Sequence, residues 1–229
     1  MKQNIAGIEV EIVKKKIKNL HLYILSPGGS VRVTVPKHLS DESIKCFVLS
    51  KLDWIEKKRE KILSQPQPAL PSFSDGDRIL LFGRRLRLSV REGARNSVRL
   101  EGERIILNLR GQADIKQREK LINEFYRQQL RDEISRRLPV WEKITGLYCP
   151  MWQIKNMKTR WGSCNTQSRR IWFNLQLAKV PAECLDYVIL HELAHLKVPN
   201  HSENFKRILS LYMPGWENAK KLLNEGGWK

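Results

Sequence analysis

Long apolar runs are missing from this chain of 229 residues. Its stretches of consecutive aliphatic residues, such as Val188-Ile189-Leu190, are far too short to span a bilayer. The segment from Met1 to Glu9 lacks the apolar stretch of a secretory signal, so a cytoplasmic protein with no membrane association is expected. Cysteine is scarce as well. Cys46, Cys149, Cys164 and Cys184 are far apart, form no CxxC pair and sit among apolar residues. That favours small buried hydrophobes over a disulfide framework or a cysteine-based zinc site. Acidic residues are outnumbered, 24 Asp+Glu against 42 Lys+Arg, for a net charge of +18. The excess is not a tail: residues 1–110 carry +10 and residues 111–229 carry +8. Such a charge points towards an anionic partner, namely nucleic acid, nucleotide or acidic peptide, against the plainer reading of a soluble basic surface. No helix-turn-helix signature, zinc finger or RNA-binding aromatic motif is present, so nucleic-acid association through this surface is expected to be weak and salt-sensitive.

What is present suffices for a packed core. Hydrophobic residues make up 41% of the chain and charged residues 29%, which sets intrinsic disorder aside. Residues 8–35 alternate with period two, through Ile8, Val10 and Ile12, then Leu20, Leu22 and Ile24, then Val31, Val33 and Val35. Antiparallel strands with a turn at Pro27–Ser30 are predicted. His21 and His38 lack partners at ligand spacing and read as surface residues. Ser40 is a candidate N-cap for one amphipathic helix over about residues 41–64, with Trp54 on it. A Pro-rich connector over 64–75 follows, then strand-like runs over 78–109. From Asp114 the period becomes helical up to Gly146, a candidate left-handed cap, with Pro139 expected to bend or split the helix. Short strands at 152–157, 161–164 and 170–174 precede a helix that starts near Pro181 and ends near Lys197. The expected fold class is α+β. A β-rich region with one helix over 1–112 joins a C-terminal module over 113–229 built of a long helix, a small sheet and further helices.

Three of the five histidines fall within eleven residues. His191-Glu192-Leu193-Ala194-His195 sets two imidazoles about 40° apart on one helix face, so both can reach one metal ion. Leu185, Ile189, Leu193 and Leu196 form a separate aliphatic stripe that can face the core while the histidines face a cleft. A catalytic zinc site needs a third protein ligand and an open position. His201 is the candidate, in the first turn of a helix capped by Asn200 with Glu203, and Glu203 and Glu217 are its rivals. With seventeen Glu and five His, HExxH arises by chance in about one such chain per hundred, so a solvated pair of surface histidines is the weaker reading.

His191 to Lys197 with Asn200-His201-Ser202, preceded by Lys158-Thr159-Arg160-Trp161-Gly162-Ser163-Cys164, closely resembles the YgjP-like metallopeptidases, small zincins related to the SprT-like and WLM groups. The resemblance extends over nearly the whole chain and is strongest over 155–216. It implies a zincin-like C-terminal module with one Zn2+ held by His191, His195 and His201, and Glu192 as general base. Val198 stands where metzincins carry glycine, and no separate Met-turn is visible, which argues against a secreted protease of that type. In zincins a strand at the cleft edge can pair with an extended substrate. On that reading Arg160, Gly162 and Ser163 contact substrate, with Gly162 allowing close backbone approach and Trp161 packing under the active helix. Plain packing and turn chemistry is an equal reading of this stretch, and Asn174 is similarly open.

The leading expectation is therefore a zinc-dependent metallohydrolase, foremost a metallopeptidase acting on peptide or protein through a metal-activated water with Glu192 as general base. Three imidazoles favour zinc over magnesium or calcium. A second reading keeps the metal and changes the substrate. A nucleotide pyrophosphatase would use the same residues, with Arg160, Lys158, Arg169 and Arg170 as candidate phosphate ligands. A third is a DNA-associated protease of the SprT type. The oligomeric state is not encoded in any feature of the sequence.

Overall fold

The computed structural model describes residues 1–25, 28–64 and 72–228. The chain divides into two compact units, Met1–Leu70 and Pro71–Lys229. Of the connector expected over 64–75, residues 65–71 lie outside the described residues.

In the first unit, strands β1 (Lys2–Ile5), β2 (Ile8–Lys15), β3 (His21–Leu25) and β4 (Ser30–Pro36) form one sheet in the order β1-β2-β4-β3. The period-two pattern does what it predicts. Ile8, Val10, Ile12, Val31, Val33 and Val35 are buried against Ile44, Val48 and Ile55 of helices α1 (Asp41–Leu49) and α2 (Leu52–Ser64). Ser40 caps α1, accepting a hydrogen bond from the Ser43 amide. Three expectations need correction. The central β2/β4 pair is parallel, because alternation reports which face is buried and not which way a neighbouring strand runs. The helix expected over 41–64 breaks at Ser50-Lys51, where the Ser50 hydroxyl donates to the Phe47 carbonyl. Cys46 is exposed, since α1 turns Ile44 and Val48 inward at i, i+4 spacing and leaves Cys46 on its outer side.

The second unit opens with a sheet of the same connectivity. Strands β5 (Arg78–Leu81), β6 (Arg84–Glu92), β7 (Ser97–Glu101) and β8 (Arg104–Leu109) lie in the order β5-β6-β8-β7, again around a parallel central pair. Helix α3 (Ile115–Thr145) begins at a capping box between Asp114 and Gln117 and ends at Gly146, whose φ of 67° is the left-handed conformation that glycine adopts without penalty. Pro139 does not split this helix. Leu138 is buried on one side of it, and Arg137 and Trp141 both bond to Asp186 on a later helix, so tertiary contacts hold both flanks of the missing amide. The boundary expected at 112/113 does not coincide with the division of the chain. Leu86, Leu88, Ile105 and Leu107 from the sheet share one core with Ile122, Leu130 and Ile134 of α3, and the Tyr126 hydroxyl donates to the Leu80 carbonyl at 2.7 Å.

The remainder carries the chemistry. Strands β9 (Met151–Lys155), β10 (Gly162–Asn165) and β11 (Arg170–Asn174) form a small sheet in the order β10-β11-β9, with β10 at the edge. A short 3-10 turn, Leu175–Ala178, leads to α4 (Ala182–His195), followed by α5 (Glu203–Tyr212) and α6 (Trp216–Glu225). The aliphatic stripe of α4 is inward as expected, with Leu185, Ile189 and Leu193 fully buried. Among the described residues no helix is long and apolar enough to cross a membrane.

Candidate metal centre

Helix α4 places His191 and His195 one turn apart at its C-terminal end, and the turn after it returns His201 to the same point. The three rings form a near-equilateral cluster, with centroids 4.8, 5.0 and 4.8 Å apart. Phe205, buried on α5, packs against all three at 4.7 to 4.9 Å and forms their floor. His201 precedes α5 rather than lying in its first turn. The N-cap is Ser202, so the capping box expected between Asn200 and Glu203 is not made. The rival ligands stay away: Glu203 pairs with Lys206, and neither it nor Glu217 reaches the cluster.

The donor set suits a cation. One ligand atom from each imidazole lies within 4.8 Å of the others, and the Nε2 atoms of His191 and His201 face each other at 3.2 Å. Two nitrogens bound to a tetrahedral zinc at ~2.0–2.1 Å stand about 3.3 Å apart, so this pair is already spaced to share an ion. The Nδ1 atom of His195 lies 3.2 Å from the Val198 carbonyl, which can only accept. His195 must therefore carry its proton on Nδ1, leaving a lone pair on Nε2. Nδ1 of His191 contacts the Tyr187 hydroxyl at 3.3 Å; a phenol can donate or accept, so this contact orients the ring and is compatible with a proton on Nδ1 and a free Nε2. Burial, with His195, His201 and Lys220 adding to it, pushes His191 down to about 3, so it is a neutral base at physiological pH.

Glu192 is the buried carboxylate beside this cluster, 4% exposed. Burial pushes it up to about 8, while Arg160 acts in the opposite direction. Its Oε2 is buried without a hydrogen-bond partner among the described residues, an arrangement that costs stability unless a ligand or substrate uses the atom. Gly162 on β10 explains how the carboxylate fits. A Cβ at that position would lie 2.7 Å from both Cγ and Cδ of Glu192, so only glycine admits the side chain.

A cleft of about 530 Å3 joins these groups. Arg160, Trp161, Gly162, Ser163 and Cys164 line it together with the three histidines, Glu192 and Tyr187. All three expected substrate contacts, Arg160, Gly162 and Ser163, thus face the same cavity. The other phosphate-ligand candidates do not. Lys158 is absent from the lining, Arg169 donates to the Tyr148 carbonyl, and Arg170 lies over the Trp172 ring. Cys164 is no nucleophile here, since burial pushes its thiol up to about 12. Asn174 has a definite task. Its side chain accepts from the amides of Met157 and Gln176 and donates to the carbonyls of Met157 and Arg160, pinning the loop that leads into β10.

Sequence reasoning missed Tyr187, Lys220 and Asn224, which also line the cleft. Tyr187 stacks on Trp216 at 6.0 Å, and Lys220 lies over the same indole at 5.4 Å. The one available signal was that Tyr187 sits a full helical turn before His191.

Residues 18–226 match the profile of the YgjP-like metallopeptidase domain. The chain belongs to the YgjP-like metallopeptidase family. Membership implies a divalent metal and a peptide or protein substrate, and makes the chain a hydrolase. No curated protein matches this YgjP-like chain. Among solved structures it is similar to two metallopeptidase zymogens, abylysin of Pyrococcus abyssi and jannalysin of Methanocaldococcus jannaschii. Each is 22% identical, with a TM-score of 0.37, over 41% of this chain and 95% of the other.

Proposed function

We propose that this YgjP-like chain is a zinc-dependent peptidase in which His191, His195 and His201 hold one zinc ion and Glu192 is the general base. The observation that carries this reading is the meeting of three imidazoles with an unpartnered, buried carboxylate oxygen at one end of a cleft. When bound, zinc supplies Lewis acidity, lowering the pKa of a water to about 7 and polarising the scissile carbonyl. This chain's residues do the rest. Glu192 takes the proton of the attacking water at Oε2 and passes it to the departing amide nitrogen. The Val198 carbonyl holds the His195 ring in the ligating tautomer, and the Tyr187 hydroxyl orients the His191 ring. The edge strand β10 pairs with an extended substrate, and Asn174 keeps the strand's leading loop in place. Arg160 and Lys220 give the cleft two cations against the single carboxylate of Glu192, so acidic side chains near the cleaved bond are favoured.

The same two cations are the feature that favours a nucleotide pyrophosphatase as a second reading. It is the weaker one, because of the four cations that sequence offered for phosphate only Arg160 lines the cleft. Elemental analysis of protein purified without a metal-affinity tag, compared with His195→Ala, tests the metal. About one zinc per wild-type chain and none in the variant is expected; wild-type protein without bound zinc overturns the assignment. Parallel assays with acidic peptide libraries and with nucleoside triphosphates separate the two substrates, with peptide cleavage expected and release of pyrophosphate alone overturning the peptidase reading.

A further inference from the structure

Cross-strand register settles which residues share each face of the β5-β6-β8-β7 sheet. Ile79, Leu86, Leu88, Ile105 and Leu107 occupy the buried face. On the other face Arg78, Arg87 and Arg104 stand directly opposite one another across three neighbouring strands. Arg85 and Arg91 extend the array along β6, and Arg99 joins it from β7. All six are exposed. Glu101, opposite Arg104, is the carboxylate on this face, and it pairs with Arg99 at 2.6 Å. Among the described residues the other five arginines make no ion pair. With strands ~4.8 Å apart and residues rising ~3.3 Å, five uncompensated cations occupy roughly 10 by 20 Å. Like charges directly opposite in a sheet oppose folding, and a bound polyanion relieves that repulsion.

The choice of cation is as informative as the count. Every basic residue between Pro71 and Arg110 is arginine, nine in all, whereas Met1–Leu70 holds eleven lysines and two arginines. Solubility needs no such selection, but the planar guanidinium fork grips phosphate oxygens two at a time. We propose that this sheet face binds the phosphate backbone of a nucleic acid without reading its sequence. The face offers no aromatic ring on which bases stack. Its apolar positions are Leu80, half-buried, and Ile106, buried, so no side chain is placed to enter an acyl layer. A nucleic-acid duplex, with one charge per ~1.7 Å of axis, matches this density better than a peptide bearing at most one carboxylate per residue. The inference goes beyond the peptidase reading and does not depend on it.

The test is a fluorescence-anisotropy titration of the full chain with a labelled duplex at ~50 to ~200 mM salt, a range over which phosphate contacts change affinity steeply. Five phosphate contacts give a log–log salt slope of about −4.5. Replacing Arg78→Gln, Arg87→Gln and Arg104→Gln together should reduce the slope by about 3 and weaken binding at least ~10-fold in the low-salt range. A charge-matched control, Lys57→Gln with Lys58→Gln and Lys221→Gln, should leave the slope within about 1 of wild type. If the triple-arginine protein fails to fold, Arg87→Gln alone should lower the slope by about 1. Peptidase activity should be unchanged in both sets. No association at the lowest salt, or equal weakening by the lysine control, overturns the proposal. So does binding of polyglutamate or anionic vesicles with the same arginine dependence, which would make the partner an acidic protein or a lipid surface.

Discussion

Glu192 is buried beside three imidazoles, has one unpartnered oxygen, and is accommodated by a glycine that no other residue could replace without contact. A general base contributes about 10^2–10^4-fold, so Glu192→Gln should lower kcat by that much while bound metal, read by elemental analysis, stays near one per chain. Gly162→Ala places a methyl against the same carboxylate. Activity should fall at least ~10-fold with a stability loss of about 1–3 kcal/mol, measured by peptide turnover and thermal melting. Asn174→Ala removes four buried side-chain hydrogen bonds and should cost about 2–4 kcal/mol, read by denaturant unfolding. At this scale the motif residues were legible because i, i+4 spacing is local geometry. Tyr187 was not, because an aromatic on a half-apolar helix looks like core until a neighbouring ring nitrogen is found 3.3 Å away. Asn174 was ambiguous for a similar reason: its four partners come from segments up to seventeen positions away.

Helix α4 is the element on which the site depends, carrying Tyr187, His191, Glu192 and His195 in succession. Its partner α3 grips it through Asp186, which accepts from Arg137 at 2.6 Å and from the Trp141 indole at 3.0 Å. Asp186→Asn weakens this partly buried pairing, and a loss of about 1–3 kcal/mol in chemical denaturation is expected. Tyr187→Phe keeps the stacking on Trp216 but removes the hydroxyl from His191. Zinc affinity, followed by competition with a chelating dye, should drop roughly 10–100-fold. Element types were legible from periodicity, whereas strand direction and helix breaks were not. Val10 and Val33 alternate alike in a parallel or antiparallel neighbour, and the amphipathic period runs unbroken through the gap between α1 and α2.

For the whole molecule, burial of titrating groups sets how metal-free protein responds to pH. The His191 pKa is lowered to about 3 in the fold, so the unfolded chain binds its proton first and stability falls as pH drops from about 6.5 to 3. Glu192 is raised to about 8, so the folded form keeps a proton that the unfolded chain releases, and stability falls as pH rises from about 4.5 to 8. Towards the upper end of pH 6.5 to 8 the lowered imidazoles His191 and His195 are neutral in both states, and the Glu192 contribution dominates. The melting temperature of chelator-treated protein should therefore decline across that interval, and the decline should vanish in Glu192→Gln. An identical decline in that variant would remove Glu192 as its source. The division of the chain was the least legible feature, because a core shared by a sheet and the helix that follows it leaves no compositional mark.

The open edge of β10 has a price beyond the cleft. An edge strand can pair with any extended peptide, including a loosened strand from another copy of this chain. At four residues the edge is too short to hold such a strand firmly, and its first residue is a glycine with no side chain to pack. Brevity of this edge strand thus protects against self-templated aggregation. Lengthening β10 to tighten grip on a target would erode that protection.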